Sequence, residues 1–152
     1  MGASSSVTNI DSDIYISYPE NSEFLDKLEK KMMELNYNIF DKKRFTDIIK
    51  TQQNNDISNR IEMIIDKTKY IFVCISPKTL KSVFQTLELN EIIHISDRFE
   101  HKIFYFMMDR DYNQTTNPEL NSFIKDNQCF DLYDDNTLLE TTNKLLSLLS
   151  SF

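Results

Sequence analysis

Short apolar runs alternate along the chain with longer stretches in which apolar positions recur every three or four residues. The first run, DIYISY (Asp13 to Tyr18), is β-branched and aromatic and predicts a strand. NSEFLDKLEKKMMEL follows, with Phe24, Leu25, Leu28, Met32 and Leu35 in a helical stripe, Asn21 or Ser22 as cap, and Glu23 suited to the positive helix end. YNIF (Tyr37 to Phe40) reads as a second strand, preceded by Asn36 at a turn where the left-handed backbone tolerates asparagine. A polar stretch from about Asp41 to Asn55 leads into NDISNRIEMIID, whose Ile57, Ile61, Ile64 and Ile65 share one helix face. YIFVCI (Tyr70 to Ile75) is apolar without alternation, which predicts a strand covered on both sides. Ser76 and Pro77 read as cap and first position of a helical region reaching about Ser96. IFYFMM (Ile103 to Met108) is another apolar strand. Asn117 and Pro118 open a short helix carrying Leu120, Phe123 and Ile124. CFDLY (Cys129 to Tyr133) makes a fifth strand and TLLETTNKLLSLL a final helix.

Strand and helix alternate five times. Crossover helices between strands imply a parallel sheet with helices on both faces. The expected fold is therefore α/β: a three-layer, doubly wound, flavodoxin-like domain with a five-stranded parallel sheet. Its sites belong beyond the carboxyl ends of the strands, at Tyr18, Asp41, Ser76 and Asp109 onward. Residues 1–11 are small and polar and read as a flexible arm. Residues 12–152 read as one domain, since 152 residues suit a single core.

Composition narrows the function. Apolar residues at 40% and charged residues at 27% fit a soluble globular protein. No window approaches a membrane span, and the N-terminus lacks the basic and apolar regions of a secretory signal. The expected location is the cytosol. A net charge of −7 argues against nucleic acid and against a polybasic membrane patch. Cys74 and Cys129 each lie in an apolar run and read as reduced core thiols rather than a disulfide or metal pair. No His and Cys grouping has zinc spacing, so no metal is expected. His94 and His101 are isolated and read as surface or structural residues.

Gly2 is the only glycine. A Rossmann dinucleotide loop, a P-loop and a nucleophile elbow all require glycines, so none of them is present. No bound cofactor is expected. Gly2 with Ser6 matches the pattern for N-myristoylation. A single acyl chain gives only reversible membrane contact, and no cysteine precedes Cys74 to add a second.

Three segments in order carry a family resemblance: DIYISY on the first strand, NIFDKKRF at the second, and IDKTKYIFVCISPKTLKSVFQTLEL across the third strand and the helix after it. The chain resembles the Toll/interleukin-1 receptor/resistance (TIR) domain family over roughly residues 12 to 150. Members begin with an Asp-Val-Phe-Ile-Ser-Tyr-like strand, end the third strand in serine, and carry a Ser-x-Trp-Cys-x-x-Glu-Leu motif. That motif reads SVFQTLEL here, Ser82 to Leu89.

The resemblance implies that Glu88 is the catalytic glutamate of those members that cleave NAD⁺ between ribose and nicotinamide. Nicotinamide leaves a cationic pyridinium as a neutral molecule and needs no general acid. What needs stabilising is the oxocarbenium-like ribosyl cation, and one carboxylate can do that. Tyr18, Phe45, Ser82 and Phe84 would line the cleft, with Phe84 one turn before Glu88. A helical wheel alone selects differently. Leu80, Phe84 and Leu87 define an apolar face, Glu91 falls nearer its centre than Glu88, and Glu88 taken alone reads as a solvated residue.

The chain departs from the family pattern at Pro19, where many members have arginine, and at Phe84 and Gln85, which replace Trp and Cys. The loop after the second strand has neither the usual glycine nor proline between Asp41 and Asn55. It must therefore avoid glycine-only backbone conformations. Phe45 in that loop could stack on a nucleobase or anchor the loop to the core. Two functions stay open. One is an NAD⁺ glycohydrolase or cyclase acting through self-association, with NAD⁺ as substrate. The other is a non-catalytic adaptor or decoy that binds other TIR domains. Signalling, immune killing and interference with a host pathway all use this fold. Among other doubly wound families, a phospho-receiver would end the third strand in aspartate, where this chain has Ser76. PENSE is a poor match to a flavin-binding loop.

Overall fold

The computed structural model describes residues 13–18, 22–40, 54–76, 85–86, 88–93, 103–109 and 128–150. Among them, four strands form one parallel sheet in the order β1 (Ile14–Ser17), β2 (Tyr70–Ile75), β3 (Ile103–Met107), β4 (Gln128–Asp131). The expected second strand is present as an isolated parallel bridge between Ile14 and Ile39. The Ile14 amide donates to the Asn38 carbonyl at 3.0 Å, and the Phe40 amide donates to Ile14 at 2.9 Å. The fifth position of the sheet is thus occupied beside β1, on the side away from β2.

Strand alternation sends side chains to opposite faces, and here it builds two cores. Ile14, Ile16, Phe72, Cys74, Phe104, Phe106 and Phe130 pack with Leu25, Leu28, Met32, Leu145 and Leu149. The helices on this face are α1 (Glu23–Glu34) and α3 (Asp135–Leu149). Tyr15, Ile71, Val73, Ile75, Ile103, Tyr105 and Met107 face the other way, against Ile61, Ile64 and Ile65 of α2 (Asn54–Asp66) and against Leu89 and Ile92. The result is the three-layer, flavodoxin-like α/β architecture with helices on both faces.

Local chemistry sets the element ends. Ser22 caps α1, its hydroxyl accepting from the Phe24 and Leu25 amides. Asp134 and Thr137 form a reciprocal capping box at the start of α3. Lys27 bridges Glu23 of its own helix and Asp135 of α3, each at 3.2 Å. Asn36 takes a positive φ of 70°, as its position after α1 predicts. Asn36→Ala should cost about 1 kcal/mol, because the β-carbon crowds the backbone there. Asn36→Gly should be close to neutral. Urea midpoints for the two variants check this.

The two cysteines part company. Both are free, but only Cys74 is a core residue; Cys129 is exposed. It lies on β4, an edge strand among the described residues, beside Tyr105 in the β3–β4 register. Partial burial and the neighbouring Asp131 carboxylate push its thiol above the usual value. His94, His101 and the short helix opened by Asn117 and Pro118 lie outside the described residues.

Candidate active site

The chain leaves β1 toward the Ile39 bridge on one side and returns to β2 on the other. In open α/β sheets such a reversal opens a crevice at the carboxyl ends of the flanking strands, and ligands bind there. Those ends carry Ser17 and Tyr18 on β1 and Ile75 and Ser76 on β2.

The helix over this crevice includes residues 88–93. Its inward face is Gln85, Glu88, Leu89 and Ile92, all buried. This is the i, i+3, i+4, i+7 pattern of one helix stripe, with two polar members at its start. The stripe corrects the wheel reading. Glu88 is 0% exposed rather than solvated, and Glu91 is only half-buried. The two polar residues lie where the helix crosses the polar-ended strands, so hydrogen bonds rather than apolar contacts fill that end of the face. Gln85 shows how: its amide nitrogen donates to the Cys74 carbonyl at 2.8 Å, tying the helix to β2.

Glu88 is held from β1. The Tyr15 hydroxyl donates to one carboxylate oxygen, and the Ser17 hydroxyl donates to the other at 3.1 Å. Tyr15 and Ser17 are themselves fully buried. Two residues apart on a strand, they share the face opposite Ile14 and Ile16. Moving a carboxylate out of water costs several kcal/mol unless hydrogen bonds replace its hydration, and two hydroxyl donors supply part of that replacement. Burial, then the charge of Glu88 and the hydrogen bond to it, raise the Tyr15 hydroxyl well above its ordinary range. Tyr15 therefore remains a protonated donor. Its ring also packs on Phe40, with centroids 5.5 Å apart.

Tyr18, expected in the cleft, follows directly on β1 but packs against the α1 and α3 side of the sheet. Burial raises its hydroxyl, helped by the carboxylates of Glu29, Glu88 and Asp26 and by Cys74. The charge of Glu88 is thus felt at Tyr18. Phe45, Ser82, Phe84 and Gly2 lie outside the described residues. Tyr15, Ser17 and Gln85 were missed as parts of the site. The signal available for the first two was the period-2 placement of two hydroxyls on one face of β1.

With this geometry set beside known families, the profile of the TIR domain matches residues 14–146. The chain belongs to the TIR domain family. Its match runs from the first residue of β1 into α3, so the sheet, the crevice and Glu88 all fall within the TIR domain. No curated protein matches the chain. Among the described residues no group of histidine, cysteine and carboxylate side chains could hold a metal ion, and no helix is long and apolar enough to cross a membrane. A shallow depression lined by Asn59, Glu62, Met63 and Asp66 sits on α2, where Met63 is 57% exposed. None of the groups around Glu88 lines it.

Proposed function

We propose that this TIR domain cleaves the bond between nicotinamide and ribose in NAD⁺, with Glu88 as the catalytic carboxylate. The supporting observation is the placement of Glu88: a buried carboxylate at the carboxyl end of β1, at the sheet's reversal point, held by two hydroxyls. A carboxylate in low dielectric stabilises a nearby cation more strongly than one in water. The ribosyl cation left by departing nicotinamide is such a charge. Water attack on it gives ADP-ribose, and attack from within the molecule gives a cyclic product. TIR domains associate with one another, and the reading includes self-association of this chain as the step that completes the cleft around Glu88.

The same burial favours a second reading. A fully enclosed Glu88 whose two oxygens each accept a hydrogen bond from a hydroxyl also suits a structural polar contact, leaving the domain as an adaptor or decoy for other TIR domains. The two readings part in one experiment. Concentrated full-length protein is incubated with NAD⁺, with and without a crowding agent, and free nicotinamide is followed by chromatography. Release that rises faster than protein concentration supports the enzyme. Absence of release at every concentration, from protein shown to be folded and associated, supports the adaptor.

Gly2 and Ser6 add a membrane element to either reading. Acylation at Gly2 would concentrate the domain on a surface and promote association. In a eukaryotic expression host, the N-terminal peptide should carry the mass of a myristoyl group. An unmodified peptide would remove this element and leave the rest intact.

A further inference from the structure

We propose that Tyr15 and Ser17 are positioning residues for Glu88: two hydroxyls from β1 aim its carboxylate and keep it ionised against a cationic pyridinium ribonucleotide. This rests on the reading of Glu88 as the carboxylate that meets the ribosyl cation.

The geometry carries the inference. Each hydroxyl takes a different carboxylate oxygen, so the plane of the carboxylate is fixed as well as its position. A glutamate on a helix has three rotatable bonds, and losing that freedom before substrate arrives removes a cost from the reacting state. The two donors come from the strand, whereas Glu88 comes from the helix above it. The pair therefore also fixes how the helix sits on the sheet, together with Gln85 on the Cys74 carbonyl at 2.8 Å.

Several titratable groups stand around the site among the described residues. Tyr18 is next along β1, and the carboxylates of Glu29 and Asp26 on α1 and the Cys74 thiol on β2 act on it together with Glu88. On the helix itself, Glu91 is half-buried. From β3, Tyr105 is buried in the same core, its hydroxyl raised by burial. From α2, Ile61, Ile64 and Ile65 pack on this face while Arg60 and Asp66 are exposed. These titratable neighbours are acids, and the one base named among them, Arg60, is exposed. Each hydroxyl donor favours the ionised form of the carboxylate it bonds. Removing one favours the protonated form.

Tyr15→Phe deletes the hydroxyl and keeps the ring on Phe40. The test follows the ¹³C resonance of the Glu88 carboxyl through a pH titration of the full chain, assigned by its loss in Glu88→Gln. In Tyr15→Phe the midpoint should rise by about one to two pH units, the effect expected of one hydrogen bond to a charged group. Ser17→Ala should move it the same way, and Ser17→Thr, which keeps the hydroxyl, should restore it. The acid limb of nicotinamide release should move up in step, so that much of the lost rate returns at higher pH. Unmoved titration midpoints in both Tyr15→Phe and Ser17→Ala, with the fold retained, would overturn the proposal. So would a rate loss that is the same at every pH. If wild-type protein releases no nicotinamide, the NAD⁺ reading falls, and the titration alone decides whether β1 governs the charge of Glu88.

Discussion

Glu88→Gln should lower nicotinamide release by about 100- to 1000-fold, the range expected when one preorganised electrostatic contact to a transition state is lost. The amide is nearly the same size as the carboxylate, so the buried space it occupies stays filled. Its carbonyl can still accept from Tyr15 or Ser17, and its NH₂ group can donate to the other hydroxyl. Stability should therefore stay close to wild type, since the lost charge also removes a desolvation cost. This makes Gln a cleaner probe than Ala, which would remove the carboxylate that two buried hydroxyls donate to, at a cost of about 1–3 kcal/mol or more. A Gln variant that melts like wild type yet releases no nicotinamide separates chemistry from folding. Undiminished release would remove Glu88 from the reaction.

The second large effect lies on the opposite face of the sheet. Phe106 is fully buried, with ring centroids 4.9 Å from Phe72 and 5.7 Å from Phe130. Phe106→Ala should cost about 3–5 kcal/mol, combining lost transfer energy with the cavity left behind. Domains of this size are stable by roughly 5–15 kcal/mol, so the loss is a large share of the total. The melting temperature should fall by roughly 6–20 °C. Because Tyr15, Ser17 and Glu88 meet on the other face, release measured well below the new melting point should change little. A calorimetric midpoint within a degree of wild type would mean that the aromatic cluster does not hold the sheet as described.

Strand identity was legible because these strands are apolar on both faces. YIFVCI and IFYFMM have no alternation to blur, and the structure places β2 on Tyr70–Ile75 and β3 on Ile103–Met107. The fifth strand shifts by a residue or two, since β4 begins at Gln128 rather than Cys129. A short edge strand has one neighbour to define its ends. The same edge position accounts for Cys129: an apolar run predicts a strand but does not say which of its faces is covered.

The site was half legible. Glu88 came from the family motif and not from the helical wheel, because hydropathy counts a buried glutamate as an exposed one. Pattern analysis assigns polar residues to solvent, and it fails where polar groups satisfy one another across elements. Tyr15 and Ser17 were read as ordinary members of a strand for the same reason. Their role depends on a residue more than seventy positions away, and no local pattern in β1 reports it. What the strand could have revealed was the two hydroxyls on one face, opposite Ile14 and Ile16.

The central claim is that the Glu88 carboxylate meets the ribose of NAD⁺. It is tested most directly by titrating the full chain with an NAD⁺ analogue whose nicotinamide link cannot be cleaved, while following the ¹³C resonance of that carboxyl. The account predicts a saturable shift of this resonance, with Tyr15→Phe weakening the response. A carboxyl resonance that stays fixed while the analogue binds elsewhere on the domain would contradict it.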